Sequence, residues 1–138
     1  MNWQNTRKAY IENSKNVLIK KRRESMKTFK FSFYDVEHEG RLIVNHYCSN
    51  GGLYLGIECF TKDGEFEYWE PYCDVSTNLP FPLPENCIAI KKYDEGDKIY
   101  EILKELDLIK RQVREEKCGY GFFWIVEIDM DKLVDYCC

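Results

Sequence analysis

No stretch of this 138-residue chain approaches the roughly 18–20 consecutive apolar residues of a membrane span. The opening residues, Met1 to Asn16, contain no apolar core of the kind an export signal needs. Histidine is scarce. His38 and His46 are the only two, and they stand eight residues apart, so the H-E-x-x-H signature of zinc proteases is excluded. The glycine-rich phosphate loop, the dinucleotide-binding glycine pattern and the G-x-S-x-G nucleophile turn are missing as well. Proline occurs four times, and three of the four fall within Pro80-Phe81-Pro82-Leu83-Pro84. Such a stretch lacks three backbone donors and reads as an extended crossover. With no catalytic constellation in view, a non-enzymatic binding protein is the expectation.

What is present is 44% hydrophobic, 15% aromatic and 32% charged, a composition for one globular domain. The charge is uneven. Residues 1–30 carry nine Lys/Arg against two acids, while residues 31–138 carry eleven against twenty-two. The net charges of +7 and −11 point to two electrostatic roles. We therefore divide the chain into a basic segment, 1–25, and an acidic domain, 26–138. Trp3, Tyr10, Ile11, Val17, Leu18 and Ile19 give the first part a weak amphipathic helical pattern ending in Lys20-Lys21-Arg22-Arg23.

From Thr28 the apolar period becomes two, the strand period. Phe29, Phe31 and Phe33 form one face, and a turn is expected at Glu37–Gly40. Leu42, Val44, His46 and Cys48 form the next, followed by the turn Ser49-Asn50-Gly51-Gly52. Leu53, Leu55, Ile57 and Cys59 lead to a turn at Lys62–Gly64 and a fourth strand, Glu65–Trp69. The expected class is α+β: an antiparallel meander of about four to six strands, one packing helix and an N-terminal helical extension. Cys87–Ile90 should be a short strand. Ile99, Ile102, Leu103, Leu106 and Ile109 recur at helical spacing, with Asp94 or Asp97 as the cap. Lys110–Lys117 should continue that helix or form a loop. Phe122–Val126 is apolar on both faces and should be a buried, central strand. Asp129 and Asp131 read as solvent-facing residues at that strand's end.

Seven cysteines in a chain without an export signal argue against a disulfide framework. Strand counting places His46, Cys48 and Cys73 at one end of the sheet, with Cys118 or Cys87 able to close a tetrahedral zinc site. The alternative is that these thiols are small buried hydrophobes. Pro71 invites a bulge that would change the face of Cys73. His46 and Cys48 share a strand face, so a thiol enzyme is a further alternative. Glu58, Asp63, Glu65, Glu67, Glu70 and Asp74 gather on the third and fourth strands and suit a basic partner; an ordinary solubilising face is the alternative. The basic run Lys20–Arg23 leaves open a nucleic-acid-associated regulator acting through the first segment.

Asn78-Leu79-Pro80, Leu83-Pro84-Glu85-Asn86-Cys87-Ile88-Ala89-Ile90-Lys91-Lys92-Tyr93, Leu106-Asp107-Leu108-Ile109 and Gly119-Tyr120-Gly121 carry a resemblance. Over residues 28–133 the chain resembles a small uncharacterised domain family from plasmids, phages and conjugative elements of low-GC Gram-positive bacteria. The basic segment and the cysteine density depart from its pattern. The resemblance implies no catalytic residues and a place in the cytoplasm of a bacterial host. It also implies a likeness to anti-CRISPR inhibitors of type II systems, which occupy the basic surfaces that an RNA-guided nuclease needs for DNA. Some of those inhibitors are metalloproteins, which would suit a thiol cluster.

Overall fold

The structure, a computed structural model, describes residues 27–136; the helical expectation for residues 1–25 lies outside them, as do Cys137 and Cys138. Four strands follow one another as an antiparallel meander: β1 (Phe29–Phe33), β2 (Val36–His46), β3 (Leu53–Asp63) and β4 (Phe66–Asp74). Three more, β5 (Cys87–Lys91), β6 (Ile109–Cys118) and β7 (Gly121–Ile128), form a second antiparallel sheet in the order β5-β7-β6. Helix α1 (Glu95–Glu105) joins β5 to β6, and a single turn, α2 (Met130–Leu133), follows β7. The α+β class holds, with seven strands in two sheets and two short helices. No described helix is long and apolar enough to cross a membrane.

Alternation in β1, β2 and β3 turns Phe29, Phe31, Phe33, Leu42, Val44, Leu55 and Ile57 to one side, where they are buried. They share a core with Ile88 and Ile90 of β5, Val126 and Ile128 of β7, and Ile99, Ile102 and Leu103 of α1. The opposite face of the second sheet makes a smaller core. There Leu79 packs with Cys87, Ala89, Phe123 and Ile125, and Phe81 and Leu83 of the proline-rich crossover lie against them. Strand β7 is thus buried on both faces and central, as its continuous apolar run requires.

Three expectations are corrected. The first hairpin turns at Tyr34-Asp35, where both residues have positive φ (49° and 62°), and Glu37–Gly40 belong to β2. A two-residue loop with φ positive at both positions matches the twist of the flanking strands, and aspartate tolerates that region better than most residues. Second, Lys110–Lys117 is strand, and Ile109 starts it, so the helix ends at Glu105. Its ladder to β7 shifts register twice, between Ile109/Arg111 and between Gln112/Arg114, which erases the two-residue period from the sequence. As an edge strand it also pairs charges where others bury side chains: Arg111 Nε bonds Glu127 at 2.6 Å and Glu115 accepts from Lys92 Nζ at 2.8 Å. Third, Asp129 caps α2, its side chain accepting from the Lys132 amide at 3.2 Å, so Asp129-Met130-Asp131 is a helix start. Asp94 is the N-cap residue of α1 but makes no side-chain cap bond; the Asp97 carboxylate instead accepts from the Tyr93 amide at 2.8 Å.

The α1 entry is tight. A Cβ on Gly96 would stand 1.7 Å from the Lys91 carbonyl oxygen, a backbone atom that cannot swing aside. Gly96→Ala should therefore cost at least about 2 kcal/mol, the scale of overpacking a core. Urea unfolding measures it, and a midpoint equal to wild type contradicts this packing.

Candidate functional site

The β3–β4 hairpin turns at Gly64-Glu65, with Asp63 opposite Phe66, and from there the ladder is regular to Glu58 opposite Pro71. It then slips. Ile57 faces Cys73 and Gly56 faces Asp74, leaving Tyr72 as the extra residue of a β-bulge. Proline cannot donate to a ladder, so the break falls beside Pro71. One consequence is a change of side: Tyr72 packs on the core aromatics, with ring centroids 5.5 Å from Phe31 and 5.6 Å from Phe33, and Cys73 joins the core. The next residue, Asp74, then points to the outer face.

There the carboxylate meets a groove of about 340 Å³ running across β2, β3 and β4, lined by Ile43, Tyr54, Gly56, Glu58, Pro71 and Asp74 among others. Gly56 makes the floor. A Cβ in its place would lie 2.4 Å from the Tyr54 hydroxyl. That hydroxyl donates to Asp74 Oδ1 at 2.6 Å, and burial together with this bond raises the phenol's pKa. On the other wall, Glu58 Oε1 accepts from Arg41 Nε at 2.8 Å and lies 2.7 Å from its Nη2. The same guanidinium sits 4.6 Å from the Trp69 ring centroid, and Phe60 meets Trp69 edge-on. Cation, carboxylate and ring thus fix one another, the two ionic side chains being about one quarter exposed.

Of the six acids expected to bind a partner, the fold brings Glu58 and Asp74 to this groove. Glu67 lies on the same face, opposite Lys62. Asp63 and Glu70 pair with Phe66 and Cys59 and so sit on the other face, and Glu65 is in the turn. Glu70 accepts from the Thr61 hydroxyl at 2.8 Å. Residues 29–74 hold nine acids and three bases, whereas the strands of the second sheet hold three acids and five bases. Negative charge is concentrated on the first sheet.

The residues expected to hold zinc are placed apart. His46 faces Leu53 and Cys73 faces Ile57, a separation of four residues along β3, about 13 Å at 3.3 Å per residue. Strand counting had put Cys73 beside Gly52. The turn lies later in the chain than expected and the bulge adds one residue, and together these carry Cys73 along the ladder to Ile57. Cys48 is exposed in the β2–β3 loop, and Cys118 ends β6 opposite Gly121, against the smaller core. Among the described residues no group of three or more His, Cys, Asp or Glu is gathered to hold a metal. His46 opens onto a separate cavity of about 290 Å³ between the Tyr47–Gly52 loop and the crossover, with Asn50, Asn78, Phe81 and Leu83 on its walls. Desolvation lowers its pKa, favouring the neutral ring.

A family described as a domain of unknown function, DUF4313, matches residues 41–138. The chain belongs to it. The matched region begins inside β2 and contains the groove, the bulge, the smaller core and the main core except for the β1 phenylalanines. No curated protein and no solved structure matches the chain. The DUF4313 match agrees with the resemblance to an uncharacterised domain family, and it assigns no activity.

Reading missed Tyr54, Gly56 and Pro71 as site residues. The available signal was a glycine inside an otherwise apolar strand, which marks a close approach. Burial pushes the Cys73 thiol up to about 12, against an ordinary value of 9.0. Native protein should therefore show Cys48 reacting with a disulfide reagent at pH 8 while Cys73 stays silent until urea is added. With the folded pKa raised, stability is complete below about pH 9 and is lost as the unfolded thiol ionises above it. Cys73→Ala should flatten that alkaline decline. Equal reactivity of the two thiols contradicts the register.

Proposed function

We propose that this DUF4313 chain is a non-enzymatic binding protein whose first sheet docks on a cationic macromolecular partner. The observation that carries the reading is the groove over Gly56, with Asp74 on one wall and Glu58 on the other. A guanidinium or ammonium entering beside Pro71 would meet the Asp74 carboxylate, already oriented by Tyr54. Pre-oriented acceptors lose little entropy on binding, so they favour affinity as well as registration. The Arg41–Glu58–Trp69 arrangement is an internal example of how this face holds a cation. The excess of acids on the sheet adds long-range attraction for a basic surface and repels nucleic acid.

The partner class we infer is an RNA-guided nuclease of a type II system, whose DNA channel is a large positive surface. Support for it comes from the acidic sheet and from the mobile-element setting of the resembling family. Occupying that channel would block target DNA.

Immobilised nuclease should retain the protein at about 50 mM salt and release it at about 0.5 M, where the Debye length falls below about 5 Å. Asp74→Lys with Glu67→Lys should weaken retention by about tenfold or more, since each reversal replaces attraction with repulsion. Normal DNA cleavage in excess protein rejects the nuclease as partner. Unchanged retention of the double variant rejects the acidic face.

A further inference from the structure

Beyond the outer groove, the other face of the first sheet ends in an uncovered aromatic patch. The β1–β2 and β3–β4 turns lie at the same end of the sheet, because both strand pairs are antiparallel neighbours of one ladder. Toward that end the core side of the sheet outruns the helix and the second sheet. Val36, paired with Phe33, and Phe66 and Tyr68, paired with Asp63 and Thr61, are on the core side. Yet Phe66 is 74% exposed, Val36 54% and Tyr68 43%, and Tyr34 at the turn is 76% exposed. Tyr72 and His38, with ring centroids 4.8 Å apart, join this surface to the buried phenylalanines. Its margin is acidic. Asp63 and Glu70 lie on the same face, Glu65 is at the tip, and Glu95 accepts from the Tyr34 hydroxyl at 2.9 Å. Large exposed rings that continue a core, rimmed by carboxylates, are a surface made to be covered.

We propose that residues 1–26 of the same chain cover it, with their apolar side chains on the rings and their cations against the acids. Three facts select this occupant. Residues 1–26 carry seven Lys/Arg against two acids, together with Trp3, Tyr10, Ile11, Val17, Leu18 and Ile19. They join the domain at Lys27, whose amide bonds the Asp135 carbonyl at 2.8 Å, two residues before β1. From there β1 runs five residues to the patch, about 17 Å at 3.4 Å per residue. Twenty-six residues are long enough to reach it: their contour at the helical rise of 1.5 Å per residue is about 39 Å. A second copy of the acidic sheet would bring like charges together, and an anionic lipid surface would be repelled. Tethering also raises the local concentration of the segment far above that of a free competitor.

The test uses the full chain. Phe66→Ser with Tyr68→Ser alters only side chains of the patch, and unchanged amide chemical shifts across the second sheet will show that the domain is intact. Trypsin cleavage at Lys20–Arg23 should be at least about tenfold slower in wild type than in this variant at low salt, because cleavage follows the open population. Raising salt to about 0.5 M should speed cleavage of wild type. Equal rates in both proteins overturn the proposal. Carbodiimide treatment of a mixture of ¹⁴N and ¹⁵N protein should link Lys20 or Lys21 to Asp63, Glu65 or Glu70 within single-isotope chains. Links of mixed isotope assign the patch to a second copy and overturn it as well. Either failure leaves the outer groove and its partner untouched.

Discussion

One extra residue in β4 decides what both faces of the first sheet present. Without the bulge at Tyr72, alternation would turn Asp74 toward the core and Cys73 outward, since Glu70, Tyr72 and Asp74 would share a side. A carboxylate in the apolar core would demand a partner or a proton. With the bulge, Tyr72 fills the space over Phe31 and Phe33, Cys73 is drawn inward and Asp74 meets Tyr54 across Gly56. The groove, the suppressed ionisation of Cys73 and the end of the acidic face follow from that shift. Proline at 71, on an edge strand where a missing donor costs least, is the sequence feature that makes the shift affordable.

Most of the fold was legible because most strands alternate or run continuously apolar. Phe29-Lys30-Phe31-Ser32-Phe33 and the inward set of β3 announce their faces, and the two-sided apolar run in β7 announces a central strand. The failures share a cause. At Tyr34-Asp35 the turn carries no glycine, so the nearest glycine, Gly40, drew the expected turn to Glu37–Gly40, which begins three residues too far along. In β6 two register shifts and a charged edge left no period to read. The helical stripe in α1 was correct through Leu103, but Ile109 also fitted its spacing and belongs to the next strand.

The site was legible in charge and illegible in position. Composition located the acids on β3 and β4, and the fold confirms that concentration. Which of them share a face depends on where the hairpin turns and on the bulge, and neither is fixed by counting. The same error moved Cys73 four residues from His46 and dispersed the thiols. A cluster inferred from strand positions is only as good as the register beneath it. The fold also separates two kinds of surface that the sequence blends. Carboxylates held by a tyrosine and an arginine flank an outer groove, whereas exposed rings with an acidic margin extend the core.

The register around Tyr72 is therefore the quantity to measure. Cross-strand nuclear Overhauser contacts in the isotopically labelled protein should pair Ile57 with Cys73 and Gly56 with Asp74, with Tyr72 unpaired. Contacts pairing Ile57 with Tyr72 and Gly56 with Cys73 would describe an unbroken ladder, bury Asp74, and contradict the account at its root.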